Sequence, residues 1–193
     1  MPGRAPFILA SASPRRRDLL ARIGVTPDLI DPAACDETPH KGELPLAYAR
    51  RIAAEKAALV AARHPGAVIL AADTVVALGR RILGKAETAD EVRACLRLLS
   101  GRRHRVHSAV TVIDATGQAR HRLSTSILAF KPLSPAEIEA YAAGGEGLGK
   151  AGGYAIQGLA EAFITYVDDN LIKVKGNFPR ALFIFPDKLS ARA

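Results

Sequence analysis

Residues Ala67–Leu78 read AVILAADTVVAL, ten apolar residues and Thr74 around a single carboxylate, Asp73. A run this apolar, with several β-branched residues, predicts a strand buried on both faces. A strand buried on both faces needs helices to cover it. The flanking sequence supplies them. Pro45 opens a helix that runs to about Arg63, where His64-Pro65-Gly66 ends it. Thr88 caps a further helix to Leu99, stopped by Ser100-Gly101.

Working outward, Phe7-Ile8-Leu9-Ala10 reads as a short buried strand. Ser13 as N-cap and Pro14 at the first helical position start a helix that reaches Ile23 and ends at Gly24. Asp28–Asp31 is a candidate short strand, and Cys35–Leu44 a polar loop. Gly79-Arg80 turns the chain so that Arg81–Gly84 pairs back on the central strand. Residues 106–114 and 120–130 alternate around Thr116-Gly117, a β-hairpin. Ser134-Pro135 caps a helix ending near Gly144. A Gly-rich, flexible loop follows to Gly153, and 162–167 with 171–174 form a second hairpin candidate. Strands alternating with helices and hairpins give α/β, with two lobes and a mixed sheet.

The chain has 193 residues, which predicts one domain, 1–193, or one with two lobes. Hydrophobic residues are 49% and charged residues 24%, so disorder is excluded as the main state. The net charge of +8 points to phosphate-bearing partners. Aromatics are only 5%, too few for a base-stacking nucleic-acid platform. Cys35 and Cys95 fit no paired metal-ligand spacing and read as reduced thiols. No run approaches the roughly 18 apolar residues of a membrane span, and the N-terminal apolar run is too short for a secretory signal. The expectation is a soluble cytoplasmic protein without a membrane or nucleic-acid partner.

Four features carry chemistry. Three arginines, Arg15-Arg16-Arg17, sit in the first turn of a helix, where the helix dipole disfavours cations. A bound phosphate reverses that sign, so Ser11–Arg17 reads as an anion site. Lys56 lies within the inward stripe Ala49, Ile52, Ala53, Leu59 and Val60. Spacing leaves two readings open, a snorkelling lysine or a phosphate ligand. Asp73 needs a metal, a cation or a proton if it is buried. Asp36-Glu37, in the loop before the long helix, are solvated acids or part of a hard-metal site. Asp73 and Thr74 are neighbours on one strand and face opposite sides, so a pocket lined by both requires the strand to end or bulge there.

Two motif-like strings are rejected. Gly79-Arg80-Arg81-Ile82-Leu83-Gly84-Lys85 has P-loop spacing, but Ala86 stands where Ser or Thr must hold Mg²⁺. Lys85 remains a candidate phosphate contact. Gly147-Leu148-Gly149-Lys150-Ala151-Gly152 spells a dinucleotide pattern, yet it follows a helix and not a strand.

The segments Leu9-Ala10-Ser11-Ala12-Ser13-Pro14-Arg15-Arg16, Ala71-Ala72-Asp73-Thr74-Val75-Val76 and Gly152-Gly153-Tyr154-Ala155-Ile156-Gln157-Gly158 resemble, in order, the three motifs of the Maf family of nucleotide pyrophosphatases. Asp36-Glu37, Ala54-Glu55-Lys56-Ala57, Leu83-Gly84-Lys85 and Leu99-Ser100-Gly101 fall between them in family order. The resemblance implies a two-lobed α/β fold around a central cleft, similar to inosine triphosphate pyrophosphatases. It implies hydrolysis of a nucleoside triphosphate to monophosphate and pyrophosphate with a divalent metal, Mg²⁺ or Mn²⁺, and a homodimer. Carried over, Asp73, Lys56 and Lys85 would be catalytic. Ser11, Arg15, Arg16, Thr74 and Gln157 would bind substrate, and Glu37 with Asp73 would hold metal. Arg16, Thr74 and Gln157 together resemble the subgroup acting on dTTP and UTP. Two other functions stand beside this one: a nucleotide-binding regulator of cell division with little turnover, and a basic nucleic-acid-binding module. The chain departs from the family pattern at Ala86, where a proline is usual. It departs again in the tail 168–186, which keeps only echoes such as Gly176-Asn177-Phe178.

Overall fold

The structure, a computed structural model, describes residues 4–168. The elements in chain order are β1 (Phe7–Leu9), α1 (Pro14–Arg22), β2 (Leu29–Ile30), α2 (Pro45–Arg63), β3 (Val68–Leu78), β4 (Arg81–Leu83) and β5 (Lys85–Ala86). There follow α3 (Ala89–Leu99), β6 (Arg103–Ile113), β7 (Ala119–Phe130), α4 (Pro135–Ala143) and β8 (Lys150–Ala151). A 3₁₀ turn (Leu159–Phe163) and β9 (Ile164–Val167) complete the described chain. The main sheet runs β2-β1-β3-β6-β7-β9, with β4 on β3, while β5 and β8 form a separate small ladder. β1 is parallel to β2 and β3, and the other pairs are antiparallel, so the sheet is mixed as expected. Among the described residues no helix is long and apolar enough to cross a membrane.

The central strand explains the layers. Ile69, Ala71 and Val75 of β3 point toward α2 and pack with its Ala57, Val60, Ile52 and Ala53. On the opposite face, Leu70 and Ala72 pack with Leu20 of α1, and Val76 packs in a different core with α3 and α4. Thr74 falls between those two cores. It is the one exposed residue of β3. The gap that exposes it is the cleft described below.

α2 docks through small residues that bring it close to the sheet. Ile52 and Val60 are fully buried, each contributing roughly 1.5–3 kcal/mol. Together they offset the several kcal/mol that taking Lys56 out of water costs. Leu59 does not join the inward stripe and is 41% exposed. The buried stripe moves from Tyr48 and Ile52 to Ala57 and Val60 along the helix. That drift is what a straight helix crossing a twisted sheet requires.

Two further corrections concern ends of elements. β6 begins at Arg103, because its outer half pairs with β7 as far as Ala129. Ala162 and Phe163 belong to the 3₁₀ turn, and only Ile164–Val167 is strand. β9 pairs with β7, while 171–174 and Gly176-Asn177-Phe178 lie outside the described residues.

The core behind α3 and α4 contains His104, which is 2% exposed. Its Nε2 lies 2.7 Å from the Tyr154 hydroxyl, and its ring meets Phe130 edge-on at 5.0 Å. Burial lowers its pKa to about 4. In the unfolded chain a histidine takes its proton near 6.5, before the folded one does. This contribution to stability is therefore complete above pH 6.5 and is lost as pH falls toward 4, at up to about 1.4 kcal/mol per pH unit. Urea denaturation between pH 7 and 4 should show that loss, and His104→Gln should give a shallower pH dependence than the parent.

Candidate active site

β1 pairs with Val68–Leu70 of β3, and Ala10 N–H donates to the Leu70 carbonyl at 2.8 Å. β4 covers Val76–Leu78 on the same side. Between them Ala71–Val75 have no strand partner on that edge among the described residues. A cavity of about 630 Å³ opens there. Both Asp73 and Thr74 line it, although the pairing of β3 with β6 runs unbroken from Ile69 to Ala77. The expected bulge or strand end is absent. The cleft wraps around an uncovered edge, so it meets side chains from both faces of one regular strand.

The N-terminal motif forms one wall. Ser11 is buried, and its Oγ accepts from Ser13 N–H at 3.2 Å and from Arg16 Nη1 at 2.9 Å. Ser13 starts α1 but its side chain makes no capping bond. The three arginines separate. Arg15 and Arg16 line the cavity, while Arg17 lies 4.0 Å from the exposed Asp18. Burial pulls the Arg16 pKa down, and the charges of Asp73 and Glu37 oppose the shift. A guanidinium keeps its charge under such a pull.

A chain of alternating charges forms the second wall. Lys56 Nζ lies 2.8 Å from Asp73 Oδ1 and 2.7 Å from Glu37 Oε1, and Lys85 Nζ lies 3.1 Å from Glu37 Oε2. Burial raises the Asp73 pKa against the pull of Lys56 and Arg16. Burial would also raise Glu37, but bonds to Lys56 and Lys85 bring it below its ordinary value. Burial would lower Lys56, yet Asp73 and Glu37 outweigh it and leave the ammonium's pKa raised. The loop carrying Glu37 is tied to α2. Tyr48 hydroxyl donates to the Glu37 carbonyl at 2.7 Å, and Arg51 donates to Glu43 at 2.8 Å and to the Thr38 carbonyl at 3.1 Å. Asp36 stays in its own turn, where Oδ1 accepts from Thr38 N–H at 2.8 Å. Only Glu37 of the two loop acids reaches the cleft.

Among the described residues no group of three or more His, Cys, Asp and Glu side chains converges as a metal cage. Two carboxylates converging on one cationic position are still a fitting donor set. Mg²⁺ is ordinarily held by one or two carboxylates with substrate phosphates and water.

The third wall is the glycine-rich segment, and it is not a flexible loop. Gly149 N–H donates to the Ala86 carbonyl at 2.7 Å, and Gly152 N–H to the Gly84 carbonyl at 2.9 Å. Gly152 has φ +68, and a Cβ there would stand 2.8 Å from Val76 Cγ1. The loop packs against the central strand at a distance only glycine allows. It brings Lys150, Tyr154, Ile156 and Gln157 to the cavity that Ser11 and Arg15 also line. All eight predicted residues other than Glu37 line the same cavity, and so does Glu37.

Over residues 6–179 the chain matches the family described as Maf-like protein. This chain belongs to the Maf family. A protein of Zymomonas mobilis named dTTP/UTP pyrophosphatase is 59% identical over 170 residues, 88% of this chain and 84% of that protein. One of Paramagnetospirillum magneticum with the same name is 56% identical over 172 residues, 89% and 90% of the two chains. A solved structure from Mycobacterium abscessus, a nucleoside-triphosphatase / dITP/XTP pyrophosphatase, superposes with a TM-score of 0.45 at 18% identity. It covers 66% of this chain and 75% of that one, too loosely to bear on function.

Four residues in or around the cleft escaped the sequence reading. Ser108 stands opposite Thr74 on β6, with the two hydroxyls 3.3 Å apart. Tyr48 and Arg51 hold the Glu37 loop, and Lys150 lines the third wall. Tyr48 is a buried residue of α2, and only the fold shows where its hydroxyl reaches. The charge chain yields a test. Lys56→Met leaves two acids without their shared cation, and breaking a buried pair costs roughly 3–5 kcal/mol. Thermal denaturation should show a large drop in Tm for Lys56→Met, and adding Asp73→Asn should restore part of it.

Proposed function

We propose that this Maf chain hydrolyses nucleoside triphosphates, dTTP and UTP foremost, to the monophosphate and pyrophosphate. The observation that carries the reading is the convergence, in one cleft, of an arginine-bearing helix start and two carboxylates sharing a lysine. The first suits a polyanion and the second suits hydrolysis. The relatives named dTTP/UTP pyrophosphatase, at 56% and 59% identity, support the choice of substrate. Arg16, Thr74 and Gln157, the three residues that resemble that subgroup, all face the cleft.

Hydrolysis forms a bond from water oxygen to the α-phosphorus and breaks the α–β anhydride. The electron pair of the broken bond leaves with pyrophosphate, and water gives up a proton. Asp73 is placed to orient the water and take that proton. Its burial favours a carboxylate more basic than usual. Lys56 holds the Asp73 carboxylate in one orientation through the 2.8 Å contact. Lys85 does the same for Glu37. Ser11, Arg15 and Arg16 receive the phosphates, and a triphosphate brings about four negative charges, so neutralisation and positioning dominate the barrier. Gln157 offers one donor and one acceptor to the pyrimidine edge, and Thr74 meets the substrate from the sheet. Glu37 and Asp73 would hold a divalent cation, Mg²⁺ or Mn²⁺, which supplies Lewis-acid neutralisation of the phosphate oxygens. The family resemblance extends the reading to a cytoplasmic homodimer.

Pyrophosphate release should be measured over a panel of nucleoside triphosphates. dTTP and UTP should be turned over best, EDTA should stop release, and Mg²⁺ or Mn²⁺ should restore it. Asp73→Asn should lower kcat about 10²–10⁴-fold with its folded circular-dichroism spectrum retained. Release from none of the nucleotides would favour a binding role, and near-normal turnover by Asp73→Asn would remove it as the base.

A further inference from the structure

The cations expected to hold the triphosphate are not all free to do so. Glu37, Asp73, Lys56 and Lys85 form two acids against two lysines, and every lysine contact within that chain is 3.1 Å or shorter. With both acids ionised the two charges of each sign cancel. Seen from the rest of the cleft the cluster is a chain of dipoles, not a source of positive potential. Arg16 is also engaged, with Ser11 at 2.9 Å and with the nearby charges of Asp73 and Glu37. Three cleft-lining cations have no ion pair among the described residues, Arg15 and Arg16 on α1 and Lys150 on β8, and of these Arg16 is held by the Ser11 hydroxyl.

α1 follows β1 at one end of the gap along β3, while Lys150 is carried by β8 beside β5, beyond β4 at the other end, and its backbone is fixed. Lys150 pairs with Ala86 across the β5–β8 ladder, beside Lys85, and the Gly149 and Gly152 amides clamp the segment on both sides. Gly152 is pressed against Val76 of the central strand, which sets the height of β8 above the cleft floor. The helix start therefore offers cations from one end only. A polyphosphate spanning the gap needs a partner at the other.

Building on the pyrophosphatase reading, we propose that Lys150 is a substrate-positioning residue that grips the polyphosphate from the end of the gap opposite Arg15. The charge chain supplies acids for the chemistry. Arg15, Arg16 and Lys150 supply the net charge that draws and seats the anion. Lys56 and Lys85 then act through the carboxylates they hold.

The test uses the full-length protein and two probes. UTP with Mg²⁺ reports turnover, and inorganic tripolyphosphate, followed by calorimetry, reports polyphosphate binding without turnover or a nucleoside. Loss of one charge-assisted hydrogen bond corresponds to about 10-fold or more in affinity. Lys150→Gln should raise KM for UTP about 10-fold with kcat changed far less. It should weaken tripolyphosphate binding by a similar factor and flatten the fall of kcat/KM with salt. Lys150→Arg should restore all three, which a purely structural lysine would not require. Lys150→Met, which keeps the aliphatic stem, should behave as Lys150→Gln and guards against a packing effect in the first variant. Unchanged KM and unchanged tripolyphosphate affinity overturn the proposal. A raised KM with unchanged tripolyphosphate affinity also overturns it, since Lys150 would then serve the nucleoside end. If the parent protein turns over no nucleotide, the pyrophosphatase reading fails, and the tripolyphosphate arm still decides the role of Lys150.

Discussion

Lys56 sits between Asp73 and Glu37 at 2.8 and 2.7 Å, and the rest of the cleft is organised around that shared ammonium. Two carboxylates this close repel, and one of them is buried in an otherwise apolar strand. Without a cation between them they would separate or take up a proton. The ammonium opposes that protonation and holds them close. It can do so only if α2 lies at one rotation on the sheet, because a lysine one position away would face another side of the helix. The small residues Ala49, Ala53 and Ala57, all fully buried, let the helix approach near enough for Nζ to reach across.

The second constraint is topological. β1 and β4 both lie on the same edge of β3 and leave a gap between them. A strand edge left open inside a fold normally invites another strand. Here a neighbouring loop, Ser11–Ser13, and the glycine-rich segment close over it without pairing. That arrangement gives the cleft access to both faces of β3 at once. Asp73 and Thr74 can serve one ligand from a regular strand because the ligand approaches from the side.

The parts legible in the sequence were those set by local rules. The buried run of β3, the 3.6-residue period of α2, the Thr88 and Ser134 caps and the Thr116-Gly117 turn all follow from a few neighbouring residues. Asp73 and Lys56 stood out because each breaks an apolar pattern, and their meeting at 2.8 Å resolves both anomalies together. Long-range packing was not legible. Leu59 reads as part of the inward stripe, but the buried face of α2 runs through Lys56, Ala57 and Val60 and leaves it exposed. Ser13 has the composition of a cap, but its side chain makes no capping bond, and its amide donates to Ser11 Oγ. The glycines at 147–153 look like a hinge in one dimension, and only the approach of Val76 shows why no side chain fits at 152.

The same distinction bears on how charge should be read from a sequence. Counting lysines and arginines near a motif suggests a strongly cationic pocket. Pairing cancels much of it, since Lys56 and Lys85 face Asp73 and Glu37. A carboxylate pair that must stay ionised uses up the nearest cations, so the attraction for an anionic ligand has to come from residues farther out. Arg15 and Lys150 are such residues. Arg15 shows itself only as a cation at the wrong end of a helix, and the half-buried Lys150 breaks no apolar pattern in its glycine-rich segment. Lys56 is therefore conspicuous by its burial and Arg15 by its place in the first turn of a helix, whereas Lys150 is found only by asking which charges remain unbalanced once the fold has closed.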